Sequence, residues 1–192
     1  DITTLVSTRR YILHNERWEI DPMMEVRISW VPKKGKTYEV VRMEHADGMP
    51  KRIFQRLLDA EVEASGKPGT EEENALTSRN YDFNHIGFEM LGGRNCTVLE
   101  IKPKRSSKYL IEGKAWVDPV ENAVVRVQGR TARSVSFWIG KPWVTQDFRK
   151  FGRAWLSSAN YSTSDVRFFG KTELKIEFTG YIINSQHEIA SR

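Results

Sequence analysis

The chain has 192 residues, one cysteine, and 30 basic against 25 acidic side chains, for a formal net charge of +5. That length suffices for one domain with its own apolar core and no metal or disulfide staple, so a single domain over 1–192 is expected. The mild basic excess is dispersed and forms no stripe, which argues against a nucleic-acid partner. Cys96 excludes an internal disulfide, and no apolar run approaches the roughly 18 residues that cross a bilayer as a helix. No signal-peptide pattern heads the sequence, and the chain as given reads as soluble.

From the amino terminus, period-two patterning predicts extended segments at 4–14, 25–31 and 37–43, with Val26, Ile28 and Trp30 sharing a face and PKKGK at 32–36 as a turn. The period then changes. PKRIFQRLLDAEVEA places Ile53, Phe54, Leu57 and Leu58 on one helical stripe, with Pro50 near the start, which predicts an amphipathic helix of about three turns. SGKPG at 65–69 is a loop, and Thr70 with Glu73 has capping-box spacing for a short second helix.

After Tyr81 alternation dominates, with strands expected at 82–90, 95–102, 108–117, 123–129, 134–148, 154–162, 166–169 and 173–183. Short connections favour an antiparallel meander. About eleven strands make a sheet wide enough to curl or close, and a curled sheet has a concave side on which the helix stripe can be buried. In a simple meander Thr97, Leu99 and Ile101 share that side with Ile111, Val125, Val127, Phe137, Ile139, Leu174, Ile176 and Phe178. In the hairpin YLIEGKAWVDPVENAVVRVQGR the same face carries Gly113 and Ala115 at its middle. Such a face either receives a large side chain from elsewhere or leaves room for a ligand.

The pattern of functional residue types contains no nucleophile, base and orienting group in recognisable spacing. His14, His45, His85 and His187 are scattered without a metal-binding spacing, so no metal or cofactor is expected. Glu61, Glu63 and Glu71, Glu72 and Glu73 fall on predicted helices with no apolar pocket around them and read as solvated. LGGRN at 91–95 lacks a following helix and reads as a strand-to-strand turn, not a phosphate loop. Phe137, Trp138, Trp143, Phe148, Phe151 and Trp155 crowd around one hairpin, either as core or as an amphipathic rim to an apolar ligand.

The series NYDFNHIGFEMLGGRNCTVLEIKPK, KYLIEGKAWVDPVENAVVRVQGRTARSVSFW and FGRAWLSSANYSTSDVRFFGKTELKIEFTGY, within 80–181, resembles bacterial envelope proteins related to the outer-membrane lipoprotein carriers, the Lol-type carrier superfamily. The set WVDP, SFW and RFFG carries the resemblance more specifically than any one piece. It implies a mainly β (α+β) fold, a strongly curved antiparallel sheet forming an unclosed half-barrel whose concave face is covered by a helical insert. It also implies export to the periplasm with a signal peptide removed, a lipid anchor on the precursor being one variant. The implied activity is non-enzymatic binding and transport of lipid acyl chains or lipoproteins, with envelope membrane proteins as further partners. Gly113 and Ala115 would keep the inner wall thin where an acyl chain lies, and Ile53, Phe54, Leu57 and Leu58 would form a lid. The competing reading is an envelope protein-interaction or sensor domain with the same fold, its core filled by its own side chains.

Overall fold

The computed structural model describes residues 2–137 and 139–185; Trp138 and His187 lie outside the described residues. Ten strands form one open, mostly antiparallel sheet in the order β3-β2-β1-β10-β9-β8-β7-β6-β5-β4, with two helices inserted after the third strand. The strands are β1 (Ile2–Asn15), β2 (Met23–Val31), β3 (Gly35–Glu44), β4 (Tyr81–Leu91), β5 (Arg94–Pro103), β6 (Ile111–Asp118), β7 (Ala123–Thr131), β8 (Trp143–Phe151), β9 (Ala154–Val166) and β10 (Gly170–Ser185). The helices are α1 (Met49–Gly66) and α2 (Thr70–Asn74). Backbone packing divides the chain into two compact units, Asp1–Glu73 with Lys175–Arg192, and Asn74–Leu174.

In the first unit, β1 and β2 pair Tyr11 with Met24, Arg9 with Val26 and Ser7 with Ile28, so these residues share a face. All six are buried or nearly so. The helix α1 meets this unit through its predicted stripe: Phe54 and Leu58 are fully buried, and the Phe54 ring meets Tyr11 edge-on at 6.4 Å between centroids. Pro50 occupies the first turn, where its missing N–H costs nothing.

The stripe continues into a polar anchor that alternation and helix period do not reveal. Arg9 Nη1 donates to both Glu61 carboxylate oxygens at 2.9 and 3.0 Å, and Lys36 Nζ donates to Glu61 Oε1 at 2.7 Å. Ser65 Oγ accepts the Lys36 backbone N–H, and Tyr38 donates its hydroxyl proton to Asp59. Glu61 is therefore not the solvated carboxylate expected from its helix position; Glu63, paired with Lys67 at the surface, is. Burial works against the Glu61 charge, but Arg9 and Lys36 outweigh it and hold the carboxyl below its ordinary range. Burial likewise opposes the Arg9 charge, and Glu61 more than restores it.

In the second unit β4 and β5 turn through Gly92 and Gly93, both at positive φ, as a two-residue hairpin. Asp118 closes the β6–β7 turn by accepting the backbone N–H groups of Val120 and Glu121, and it pairs with Arg94. Gly113 and Gly129 lie opposite each other, and a Cβ on Gly113 would stand 2.6 Å from the Gly129 Cα. The space left by the missing side chain is taken by the neighbouring strand's backbone. Ala115, two residues along, is 0% exposed and packs with Tyr81, Ile101, Leu110 and Val127.

One expected strand is shortened and another is a turn. Over 134–142 the chain makes a tight turn, with Val135 N–H donating to Gly140 O and Ser136 N–H to Ile139 O, and β8 begins only after Pro142. Proline has no N–H for a ladder, so the alternation read across 134–148 spans a turn and a strand. Val166 to Phe169 is likewise the turn between β9 and β10, with Phe168 at φ 66°. Among the described residues ten strands result instead of about eleven.

Two measurements test these packings. Gly113→Ala should destabilise by about 1–3 kcal/mol, because a backbone cannot yield as a side chain can; urea titration of the variant reads it. Glu61 has a lowered folded pKa, so its contribution is present above its unfolded value of 4.5 and is lost as pH falls through the folded value. Glu61→Gln should cost about 3 kcal/mol at neutral pH, the lower end for a broken buried pair, and should flatten the acid limb of stability against pH.

Candidate functional site

Directly opposed residues of an antiparallel ladder project from one face, so the strand register maps the surfaces of the second unit. One face contains Phe83, Ile101, Gly113, Gly129 and Val144 in one row and His85, Leu99, Ala115, Val127 and Gln146 in the next. Phe88, Thr97, Val117 and Val124 form a third row. Leu99, Ile111, Val124 and Phe148 are half-buried around the packed cluster of Ile101, Ala115 and Val127. Towards the edge strand the covering stops: Phe83 is exposed, Phe88 is 64% exposed and Met90 69%.

The other face has its own cluster of Cys96, Val98, Trp116 and Val125, flanked by Leu91 and Trp155. Trp116 Nε1 donates to Glu89 at 2.9 Å, and Arg126 pairs with Asp147 on the same side of β7 and β8. Burial pushes the Cys96 thiol above its usual value, and Asp118 adds to the shift.

Among the residues expected to line a cavity, Leu99, Ile101, Ile111, Gly113, Ala115 and Val127 do share the first face or its cluster, and Leu99 and Ile111 keep accessible surface there. Ile101 and Ala115 have none, and Gly113 lies against Gly129. Val125 belongs to the opposite cluster, because the register slips between Trp116 and Val117 and leaves it as the extra residue of a bulge. Phe137 is 75% exposed on the 134–140 turn, under the Arg167 guanidinium. Ile139 makes an isolated bridge to Val166, and Leu174 is half-buried in β10.

Ile176 and Phe178 belong to the first unit, where Arg9 lies 4.7 Å from the centre of the Phe178 ring and Phe178 stacks on Tyr181. Burial pushes the Tyr181 hydroxyl up to about 12. The four proposed lid residues are half-buried (Ile53, Leu57) or fully buried (Phe54, Leu58) on α1.

Phe83, Phe88 and Met90 escape a reading by simple alternation. Phe83 and Phe88 are five apart, an odd spacing that assigns them to opposite faces, and only the register slip between His85 and Gly87 returns them to the same one. The glycine at 87, with φ 141°, is the one sequence signal of that bulge. Chemically this face offers apolar surface bordered by His85, Thr97 and Gln146. Among the described residues no group of three or more His, Cys, Asp or Glu is arranged to hold a metal.

No family model matches the sequence, and no curated protein matches it. Solved structures do match over nearly all of the chain. A putative outer membrane lipoprotein-sorting protein domain from Vibrio parahaemolyticus superposes with a TM-score of 0.50 at 14% identity, over 98% of this chain and 92% of that one. A LolA superfamily protein from Nitrosomonas europaea gives 0.51 at 8% identity, over 95% and 86%. A DUF1329 family protein from Desulfovibrio piger gives 0.50 at 11%, over 96% and 87%. At such identities the likeness is one of backbone path, and it shows that this chain has a Lol-type carrier-like fold.

Proposed function

We propose that this protein is a non-enzymatic carrier or binding protein of the bacterial periplasm whose cargo is an acyl chain, free or attached to a lipid or lipoprotein. The observation that carries the reading is the accessible apolar strip formed by Phe83, Phe88, Met90 and the half-buried Leu99 on one face of β4 and β5. Exposing apolar side chains like these to water costs free energy, and each methylene removed from water against them contributes about 0.8 kcal/mol. Binding therefore needs no covalent step. In this reading α1 acts as a lid when the anchor of Glu61 to Arg9 and Lys36 releases, and envelope membrane proteins donate or accept the cargo.

A second reading, an envelope interaction or sensor domain, is favoured by a different observation: the middle of the same face is filled by Ile101, Ala115 and the paired glycines. There β4, an edge strand with unpaired backbone groups, would receive a partner strand.

A fluorescent fatty acid separates the two. Phe88→Asp should weaken its binding by about tenfold or more, with a change in Tm of no more than about 2 °C because the side chain is already exposed. Amide exchange over 49–66 should also slow on addition of fatty acid if α1 is a lid. No measurable binding by the parent protein, with exchange in α1 unchanged, would leave the interaction reading in place of the carrier.

A further inference from the structure

A cavity of about 810 Å³ opens between the β5–β6 and β7–β8 loops of the second unit. Arg105, Lys108 and Arg133 line it, together with serines from both loops, and no described lining residue is acidic. Elsewhere the protein neutralises many of its cations, as in the pairs of Arg9 and Lys36 with Glu61, Arg94 with Asp118, Arg126 with Asp147 and Lys150 with Glu121. Among the described residues neither Lys108 nor Arg133 has a carboxylate partner. Lys108 and Arg133 facing one cavity repel each other unless an anion joins them.

The loops are built to hold hydrogen-bond donors there. Ser107 is buried, and its Oγ accepts the Tyr109 backbone N–H at 3.2 Å, which orients the hydroxyl and leaves its proton to donate. Ser136 Oγ accepts the Ile139 N–H, and the two backbone bonds across 135–140 fix that turn. Tyr109 and Phe137 add exposed aromatic rings to the lining. Behind the lining, the Tyr81 hydroxyl accepts the Ile111 N–H and its ring meets Phe83 at 6.1 Å.

We propose that this cavity is an anion site that binds a phosphate group through Arg105, Lys108, Arg133 and the loop hydroxyls. Guanidinium and hydroxyl donors match the several acceptor oxygens of a phosphate. Two sources share that chemistry, a phospholipid headgroup and a free phosphate or phosphate ester. The headgroup source rests on the acyl-carrier reading above; the phosphate contact does not.

Backbone amide resonances of the intact protein report occupancy residue by residue. Inorganic phosphate, glycerol 3-phosphate and short-chain phosphatidylglycerol below its micelle concentration are titrated separately, with sodium chloride as the control for screening. All three phosphates should shift the amides of 106–109 and 133–137, and added salt should weaken them. Lys108→Gln with Arg133→Gln should weaken each by about tenfold, while resonances outside the loops stay in place, since both side chains are exposed. A headgroup site binds the lipid more tightly than glycerol 3-phosphate, with added shifts at Phe83, Phe88 and Leu99; a site for free phosphate binds the two alike. Loop shifts without shifts on β4 would remove the acyl-carrier reading and keep the anion site. Loop amides that do not respond, that respond equally to chloride, or that respond unchanged in the double variant would overturn the proposal.

Discussion

Side-chain parity along the strands decides which residues can stand together on a surface, and in this protein parity is reset by register slips. Among the described pairings there are slips at Glu25/Val26, His85/Gly87, Trp116/Val117 and Asp147/Phe148. Each bulge inserts one residue into one strand, and every side chain beyond it changes face relative to simple alternation. Phe88 and Met90 join the face of Phe83 and Leu99 through one of them, and Val125 leaves it through another. The surface on which a ligand could lie is a product of these slips as much as of the apolar residues themselves.

The same unit shows how a sheet face can be partly filled and partly open. Small residues at Gly113 and Ala115 do not leave a hollow: one lets two backbones approach, and the other lies within a cluster of larger side chains. The open part lies towards the edge strand, where no further strand among the described residues supplies covering side chains. Cationic loops border the unit at the β5–β6 and β7–β8 connections, so apolar and anion-attracting surfaces coexist on one unit. In the first unit the helix is held by different means. Phe54 and Leu58 supply non-directional burial, while Glu61 between Arg9 and Lys36 fixes where the helix lies, because a half-buried carboxylate is stable only beside its cations.

Much of the fold was legible in the residues alone. Period-two runs after Tyr81, the turn residues at 32–36 and 92–93, and the Ile53, Phe54, Leu57 and Leu58 stripe are local signals, and local backbone preference and amphipathicity follow from them directly. The motif series over 80–181 pointed to the carrier-like architecture that the backbone likeness shows. Pro142 and the sequence around Phe168 also held the information that ends two apparent strands, although alternation outweighed it in reading 134–148 and 166–169 as extended.

Only the tertiary structure decided which faces meet. Whether Gly113 marks a cavity or a close approach depends on where β7 runs, and that is set by hydrogen bonds between residues far apart in sequence. Glu61 reads as a surface carboxylate until β1 and β3 bring Arg9 and Lys36 to it from 52 and 25 residues away. Lys108 and Arg133 likewise look dispersed along the chain and become neighbours of one cavity because consecutive strands return their loops to the same place. Composition and periodicity determine what each segment is, since those preferences act over a few residues; long-range pairing determines what each side chain touches.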